Sequence, residues 1–531
     1  MSNRAGASGR RLFPGDAAPV WRCALMPARS PDDRAFPTLY CIHAIEERLA
    51  MPLRVFNVLG REMQDFVPLD ERQVRMYVCG PTVYDVPHIG HAKTYIAFDV
   101  IVRYLRASGY NVLYVQNITD VGHLLDTGED RILRKAAQLQ AVPMQIVETY
   151  TRAYFEAMDR LGVQRPDISP RASGHIPEQI KMIETLIAKG HAYVVNGSVY
   201  FDVTTDPDYG KLSNRRIEEQ EAGVRLAVRG EKRNPEDFAL WKKADPEHIL
   251  RWDSPWGVGF PGWHIECSAM ALKYLGPSFD IHGGGIDNIF PHNESEIAQS
   301  ECANDALFAK YWLLVGSLTL EGVKMSKSLG NVLTIEEALK RYPPGAIRLF
   351  MLSVHYSNPI DFSHDALEAA TRGWERIVNA YRLNQRALAS AAPEGDGAAF
   401  QPVIDRLRAD FTAAMDDNFN TPVAIAALQE FTREVNALLN SGTKVSSAVL
   451  SAIDRAYQDT AGQVLGLLPA AEATAGNAAR EAGLIELIID LRQRARAAKN
   501  WAEADRLRDA LARLGVVLED RPDGTIWKIE G

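Results

Sequence analysis

The sequence predicts an α/β protein in which a parallel sheet is split by an α/β insertion and followed by an all-α region and a small C-terminal subdomain. Three observations point there. Met76-Tyr77-Val78-Cys79-Gly80-Pro81 reads as a strand stopped by Gly and Pro, Lys93 to Leu105 carries apolar residues at helical spacing, and Val112-Leu113-Tyr114-Val115 reads as a second strand. Strand, helix and strand within about forty residues mark a right-handed crossover. From Asp126 to Pro255 the pattern changes to longer helices and short strands with charged loops, and strand-like signals then resume at Phe279. After Leu333 the chain is nearly all helical in pattern.

The elements follow in order. Residues 1–50 form an Arg-, Ala-, Pro- and Ser-rich extension, read as a disordered segment or as sequence ahead of a true start at Met51, with a mitochondrial targeting peptide as the alternative. Residues 51–125 are the first half of a Rossmann-like catalytic domain, 126–255 a connective insertion with a helix over Ile176 to Lys189 and strands around Ala192 to Val203, and 256–332 the second half. That second half holds Phe279-Asp280-Ile281-His282-Gly283-Gly284-Gly285, a helix from Glu294 and a strand near Tyr311 to Val315. A helical region covers 333–392 and ends at a linker, Ala391 to Gly397. Residues 393–478 read as a helical bundle, with two helices between Ile404 and Leu439 split at Asn420-Thr421-Pro422, where Thr421 is expected to cap. Residues 479–531 form the last subdomain, ending in a hairpin from Val516 to Trp527 across Asp523-Gly524.

Composition excludes some classes. With 531 residues the chain can bury several cores. Apolar runs such as Leu484 to Leu491 are broken by Glu486 and Asp490, well short of the about 18 residues that span a membrane. Five cysteines, at 23, 41, 79, 267 and 302, make no disulfide framework, which fits a reducing cytoplasm. A net charge of -9 argues against a nucleic-acid partner at first, yet Arg494, Arg496, Lys499, Arg506 and Arg508 offer a local basic stripe. Glu503, Asp505 and Asp509 interleave with it, so a solvated helix face is the competing reading.

Chemistry concentrates at a few segments. Pro87-His88-Ile89-Gly90-His91 lies where a strand gives way to a helix, the edge where parallel sheets bind ligands. Helix N-terminal amides beside two imidazoles suit a phosphate oxyanion, and Gly90 leaves room for a flat base. Lys324-Met325-Ser326-Lys327-Ser328 puts two ammonium groups on one polar loop. Such a pair is either solvated or closes over a triphosphate, where Lys324 and Lys327 would stabilise charge on departing pyrophosphate. Together these segments resemble the HIGH and KMSKS signatures of class I aminoacyl-tRNA synthetases, in that order and separation. The resemblance implies a sheet that binds ATP with Mg2+ and joins an amino acid to its α-phosphate, with His88, His91, Lys324 and Lys327 as catalytic groups.

Cys79, Cys267, His292 and Glu296 are all metal-ligand types, and the last two are four apart, hence on one helix face. The alternative is that the cysteines are small buried hydrophobes. The surroundings resemble the cysteinyl-tRNA synthetase family: Gly262-Trp263-His264-Ile265-Glu266-Cys267, His282-Gly283-Gly284-Gly285 and Glu296-Ile297-Ala298-Gln299-Ser300, with likeness from Pro52 to Lys528. That resemblance implies one Zn2+ per subunit on the four ligands, taking the substrate thiolate and so rejecting serine. It implies L-cysteine, ATP and tRNA(Cys) as partners, no membrane, and a monomer. Thr82 and Trp263 would line the amino-acid pocket, while Gly90, Gly284, Asp287 and Lys327 would face ATP. Lys232 to Phe238 with Trp241-Lys242 would lie near the tRNA acceptor end, and Trp527 with its preceding basic helix would read the anticodon.

Two departures stand out. Asn293 replaces a second histidine common in the family, and an acidic insertion leads to Arg131 where many members have a lysine. A related cysteine ligase acting on an amino sugar would share the core but typically lacks the C-terminal helical part; a catalytically silent nucleic-acid-binding paralogue is the other alternative. His264-Ile265-Glu266 lacks the Pro-Cys-x-x-Cys of a zinc deaminase, and His282-Gly283-Gly284-Gly285 lacks a partner Gly-x-Ser-x-Gly elbow. Tyr209-Gly210-Lys211-Leu212 lacks the Ser or Thr of a P-loop.

Overall fold

A computed structural model of the chain describes residues 52–122, 130–215, 231–246, 248–325, 332–469, 475–521 and 524–529. The expected extension over 1–50, the acidic insertion ahead of Arg131, and Ser326 to Asn331 with Lys327 lie outside them. Strands β1 (Arg54–Asn57) and β2 (Glu62–Asp65) form an antiparallel hairpin. The crossover follows as β3 (Gln73–Val78), α1 (Ile89–Ala107) and β4 (Asn111–Gln116), with β3 and β4 parallel. Burial of Ile89, Ile96, Phe98, Val100, Ile101 and Leu105 sets α1 against the sheet core.

The insertion contains α2 (Arg131–Leu139), α3 (Pro143–Arg160) and α4 (Ile176–Ala188). A second sheet follows, antiparallel throughout: β5 (Ala192–Val195), β6 (Ser198–Phe201), β7 (Phe238–Lys243) and β8 (Gly259–Pro261). It runs on past residue 255 to Pro261, and with α4 it encloses its own core around Ile183, Leu186, Phe201 and Trp241.

The first sheet resumes through α5 (Trp263–Leu275), β9 (Phe279–Gly285), α6 (Glu294–Asn304) and β10 (Ala309–Val315). Its order is β10-β9-β3-β4, all parallel, so β9, which follows the insertion, pairs with β3 and leaves β4 at the edge. Val78 pairs with Gly283, and the Cys79 amide donates to the Gly283 carbonyl at 2.9 Å. Gly283 has no room for a side chain, since a Cβ there would come within 2.4 Å of the Phe98 ring of α1.

Beyond the sheet come β11 (Leu318–Leu320), β12 (Val323–Lys324), α7 (Ile335–Arg341), α8 (Pro344–Leu352), β13 (Ile360–Phe362) and α9 (His364–Ala389). Strand β13 interrupts the helical pattern and pairs in parallel with β11. The C-terminal part has α10 (Gln401–Asp416), α11 (Thr421–Asn440), α12 (Ser447–Tyr457), α13 (Ala475–Ala497), α14 (Trp501–Arg513) and the hairpin of β14 (Val516–Arg521) with β15 (Gly524–Ile529). Asp523 of the expected turn lies outside the described residues. Thr421 does not cap α11: Asn420 holds the cap position, and the Thr421 hydroxyl instead donates to the Leu352 carbonyl at 2.8 Å, tying the bundle to α8. Along the basic stripe, Arg494 pairs with Asp490, Arg496 with Asp520, Arg506 with Glu503, and Arg508 with Asp505. These guanidinium groups answer the chain's own carboxylates. Among the described residues no helix is long and apolar enough to cross a membrane.

Candidate active site

A cavity of about 370 Å³ opens at the C-terminal ends of β3, β9 and β10. This is a size that suits a small ligand. One wall is the start of α1. His88 and His91 stack with ring centroids 3.9 Å apart and form a reciprocal cap: His88 Nδ1 accepts from the Gly90 amide at 3.2 Å, and His91 Nδ1 accepts from the His88 amide at 3.1 Å. A ring nitrogen that accepts a main-chain N–H carries no proton, so each neutral imidazole holds its proton on Nε2. The pair therefore presents two N–H donors beside helix-terminal amides, a setting for phosphate oxygen. At Gly90 a Cβ would approach the His88 ring to 3.0 Å and the Met325 methyl to 3.2 Å.

Cys79, Cys267 and His292 also line the cavity, and Glu296 beside them completes the four ligand candidates. One donor atom each from Cys79, Cys267, His292 and Glu296 lies within 4.8 Å of the others, and all four residues are buried. Cys79 follows β3, Cys267 sits on α5, Glu296 on α6 and His292 in the turn leading into α6. Their chemistry fits a borderline-soft cation such as Zn2+: two sulfurs, an imidazole and a carboxylate. The polar character also makes little sense as plain core. Glu296 is fully buried, yet despite the desolvation that opposes ionisation its carboxyl is held well below the usual range by His282 and His292. Burial pulls His292 down, but Glu296 and then Cys267 outweigh it and carry it to about 10. Burial pushes the Cys267 thiol up. For Cys79 the hydrogen bond with Cys267 lowers the thiol, and burial with the nearby Glu296 charge raises it on balance.

A second ring of residues holds these ligands. His282 Nε2 lies 3.0 Å from Glu296 Oε2, which also accepts from Asn293 Nδ2 at 2.9 Å. Asn293 Nδ2 lies 3.7 Å from Cys79 Sγ as well. His264 Nδ1 and His292 Nδ1 are 2.9 Å apart, and Trp263 stacks on His292 at 4.2 Å. The tertiary role of His282 and His264 carries no spacing signal in the sequence.

The other expected positions distribute as follows. Thr82, Trp263 and Asp287 line the cavity, and Gly284 lies just behind, its hypothetical Cβ 3.6 Å from that of Cys79. Lys324 ends β12, while Lys327 is outside the described residues. Arg131 reaches Tyr84 with Nη1 3.0 Å from the hydroxyl. Val315, Gly316, Ser317 and Leu318 form a further wall that no motif marked in advance. Trp527 lies in a separate cleft with Arg382 and Arg386 of α9, in the C-terminal part.

The split parallel sheet with its two-histidine helix start is that of a class I aminoacyl-tRNA synthetase catalytic domain: the family model described as tRNA synthetases class I (C) catalytic domain matches residues 65–372. A DALR domain matches 410–469, and a cysteinyl-tRNA ligase anticodon binding domain matches 486–527. The chain is 49% identical over 483 residues to the cysteine-tRNA ligase of Deinococcus radiodurans, covering 90% of this chain and 96% of that one. With the cysteine-tRNA ligase of Chlorobium luteolum it shares 48% over 489 residues, 90% and 99% of the two chains, and with that of Thermus thermophilus 46% over 485 residues, 90% and 100%. Among solved structures the fold resembles Mycobacterium tuberculosis methionyl-tRNA synthetase in complex with methionyl-adenylate, with TM-score 0.54 at 17% identity over 77% of this chain and 96% of that one. A putative arginyl-tRNA synthetase from Campylobacter jejuni gives 0.51 at 11%, over 76% and 95%. The chain belongs to the cysteinyl-tRNA synthetase family.

Proposed function

We propose that this protein activates L-cysteine with Mg2+-bound ATP and transfers the cysteinyl group to the 3' end of tRNA(Cys). The observation that carries the reading is the meeting, at one cavity, of a sulfur-rich ligand set with a helix start built to receive phosphate oxygen. The cysteine carboxylate attacks the α-phosphorus in line, the bond to the bridging oxygen breaks, and pyrophosphate leaves. In the second step a terminal ribose hydroxyl attacks the activated carbonyl and AMP departs. His88 and His91 donate Nε2–H to oxygens of the α-phosphate region as charge builds there, while Lys324 and Lys327 neutralise the departing pyrophosphate. Asp287 accepts from the ribose beside Gly284, with Gly90 under the base. Thr82 and Trp263 bound the amino-acid pocket, and Trp263 also fixes the His292 ring by stacking.

Cys79, Cys267, His292 and Glu296 hold Zn2+ in this reading. Bound there, zinc supplies a soft centre that takes sulfur in preference to a hydroxyl oxygen, a distinction that a shape-matched pocket makes only weakly, by about 1 to 3 kcal/mol. Free thiols at Cys79 and Cys267 go with a reducing cytoplasm.

The test offers the purified protein tRNA(Cys) beside an amino-sugar acceptor, with ATP and labelled cysteine. Label on the tRNA is the expected outcome; label on the sugar alone would mean that the acceptor is wrong, and no cysteine-dependent ATP-pyrophosphate exchange would remove the enzymatic reading altogether.

A further inference from the structure

Lys93 stands two residues beyond His91 on α1, and only 2% of its surface is exposed. Its stem lies in a narrow apolar crevice with Ala97, Val100, Met351 and Leu352. Its ammonium donates to two main-chain carbonyls, that of Ser317 at 3.1 Å and that of Asn358 at 2.5 Å. Burial alone accounts for a pKa pulled down to about 8. An ammonium sunk in this way with no carboxylate paired to it among the described residues is costly, so a hydrophobic residue would serve packing better.

What the two carbonyls belong to explains the cost. Ser317 leads into β11, and Asn358 leads into β13, the parallel partner of β11. Their backbones touch: a Cβ on Gly316 would come within 2.5 Å of the Asn358 carbonyl. Strand β11 pairs in turn with β12, which ends at Lys324. On the far side of the 326–331 segment the chain returns to the same helix start, where the Ile89 amide donates to the Leu333 carbonyl at 2.9 Å and the Ile335 amide to the Pro87 carbonyl at 3.1 Å. Both ends of the lysine-bearing segment are thus fastened to the beginning of α1, one by main-chain bonds and the other through Lys93. Gly316, Ser317 and Leu318 also line the cavity directly.

We propose that Lys93 is a positioning residue for the nucleotide step: its ammonium braces the Gly316 to Leu318 wall, and the strands that lead to Lys324, against the helix that carries His88 and His91. This rests on the adenylate-forming reading above. Lys93 touches no reacting atom; it sets where the Gly316 to Leu318 wall stands relative to the histidines.

The test compares Lys93→Met, which keeps the stem and drops the charge, with Lys93→Arg, which keeps the charge, in the full-length zinc-loaded protein. A misplaced catalytic wall costs on the order of 100-fold, so the exchange kcat of Lys93→Met is expected to fall by about 10- to 100-fold. Zinc content, KM for cysteine and the rate of transfer from supplied cysteinyl-adenylate to tRNA should stay within about threefold, because those steps do not use the pyrophosphate loop. Lys93→Arg should recover most of the exchange rate. If Lys93→Met does not fold, Lys93→Gln, a neutral donor, replaces it against Lys93→Arg with the same expectation. Unchanged exchange in the neutral variant overturns the proposal, and so does a parallel loss of exchange and transfer with a lowered Tm. Absence of exchange in the unaltered protein would instead count against the adenylate-forming reading itself.

Discussion

Arg348 places Nη2 2.6 Å from Asp99 Oδ2, with neither side chain more than 1% exposed. Asp99 belongs to α1, and its Oδ2 also lies 2.8 Å from Arg103 Nε while its Oδ1 accepts from the Gln164 amide at 2.9 Å. Arg348, on α8, donates further to the Leu465 carbonyl through Nε and Nη2 and to the Leu161 carbonyl through Nη1. One guanidinium thus joins α1, the end of α3 and the turn after α12. At Gly466, with φ 63°, a Cβ would meet Arg348 Nη2 at 2.6 Å, so the close approach depends on glycine.

Removing one partner of such a pair leaves a buried charge short of its bonds. Arg348→Met is expected to destabilise the chain by about 3 to 5 kcal/mol. The paired change of Arg348→Met with Asp99→Asn should recover part of that loss. Denaturant unfolding of the single and paired variants beside the unaltered chain measures both, and a loss below about 1 kcal/mol in the single variant would contradict the account.

The ligand set makes a prediction that separates metal from packing. Cys267→Ser exchanges a sulfur for an oxygen with little change of shape, so a packing role would leave metal content and selectivity alone. The expected result is lower zinc occupancy together with weaker discrimination of cysteine from serine in ATP-pyrophosphate exchange. Full zinc content with unaltered selectivity would sink the assignment.

Lys327→Ala tests the proposed role of the lysine-bearing loop. Deleting one group that stabilises transition-state charge typically costs about 100- to 1,000-fold in rate. That loss should appear in exchange kcat with KM for cysteine little altered. An unaffected exchange rate would remove Lys327 from the first step.

Much of this arrangement is legible in the residues, and the limits are physical. The crossover from Gln73 to Gln116 declares itself because strand and helix periods differ. His292 and Glu296 are readable as neighbours because four residues make about one helical turn. That Cys79 and Cys267 join them depends on β3 and β9 pairing across the insertion, which no local spacing encodes. Family resemblance supplied that link. His282, His264 and Lys93 act only through tertiary contacts, so their meaning emerges with the fold. Strand β13 hides in a helical stretch because three residues give too short a period to detect. Along the basic stripe Arg494, Arg496 and Arg508 pair with Asp490, Asp520 and Asp505 while staying at the surface, an arrangement compatible with either reading.

Asp520 gives a prediction in pH. Its oxygens receive Arg492 Nη1 and Nη2, each at 2.8 Å, with Arg496 Nη1 at 2.8 Å and the Thr525 hydroxyl at 2.8 Å. The Arg492 hydrogen bonds, then that of Thr525, hold its carboxyl well below the ordinary value of 3.8. A carboxylate depressed in the folded state stabilises above its unfolded pKa of about 3.9, and that contribution is lost as pH falls through the folded value. Asp520→Asn should therefore loosen the β14–β15 hairpin at pH 7, with the difference from the unaltered chain shrinking below about pH 4. Amide exchange across Val516 to Ile529 reads it, and a gap that widened in acid would reverse the sign and refute it.

Asn293 stands where the resemblance implies a second histidine, and the geometry gives the asparagine a role. Its amide nitrogen spans Glu296 Oε2 and Cys79 Sγ, two of the four proposed ligands, from a fully buried position. With His282 also on Oε2, the remaining oxygen, Oε1, is the one turned toward His292 Nε2 at 3.3 Å and Cys79 Sγ at 3.9 Å. Groups that orient a ligand typically carry about 10- to 100-fold in metal affinity. Asn293→Leu, similar in size without the donor, should lose zinc to a chromogenic chelator faster by that order. Asn293→Asp should lose more, because it sets a carboxylate against Glu296 and a thiolate. Both are measured by chelator competition on protein purified with zinc, apart from any assay of activity. Equal retention in all three proteins would mean that Glu296 and Cys79 keep their places without Asn293.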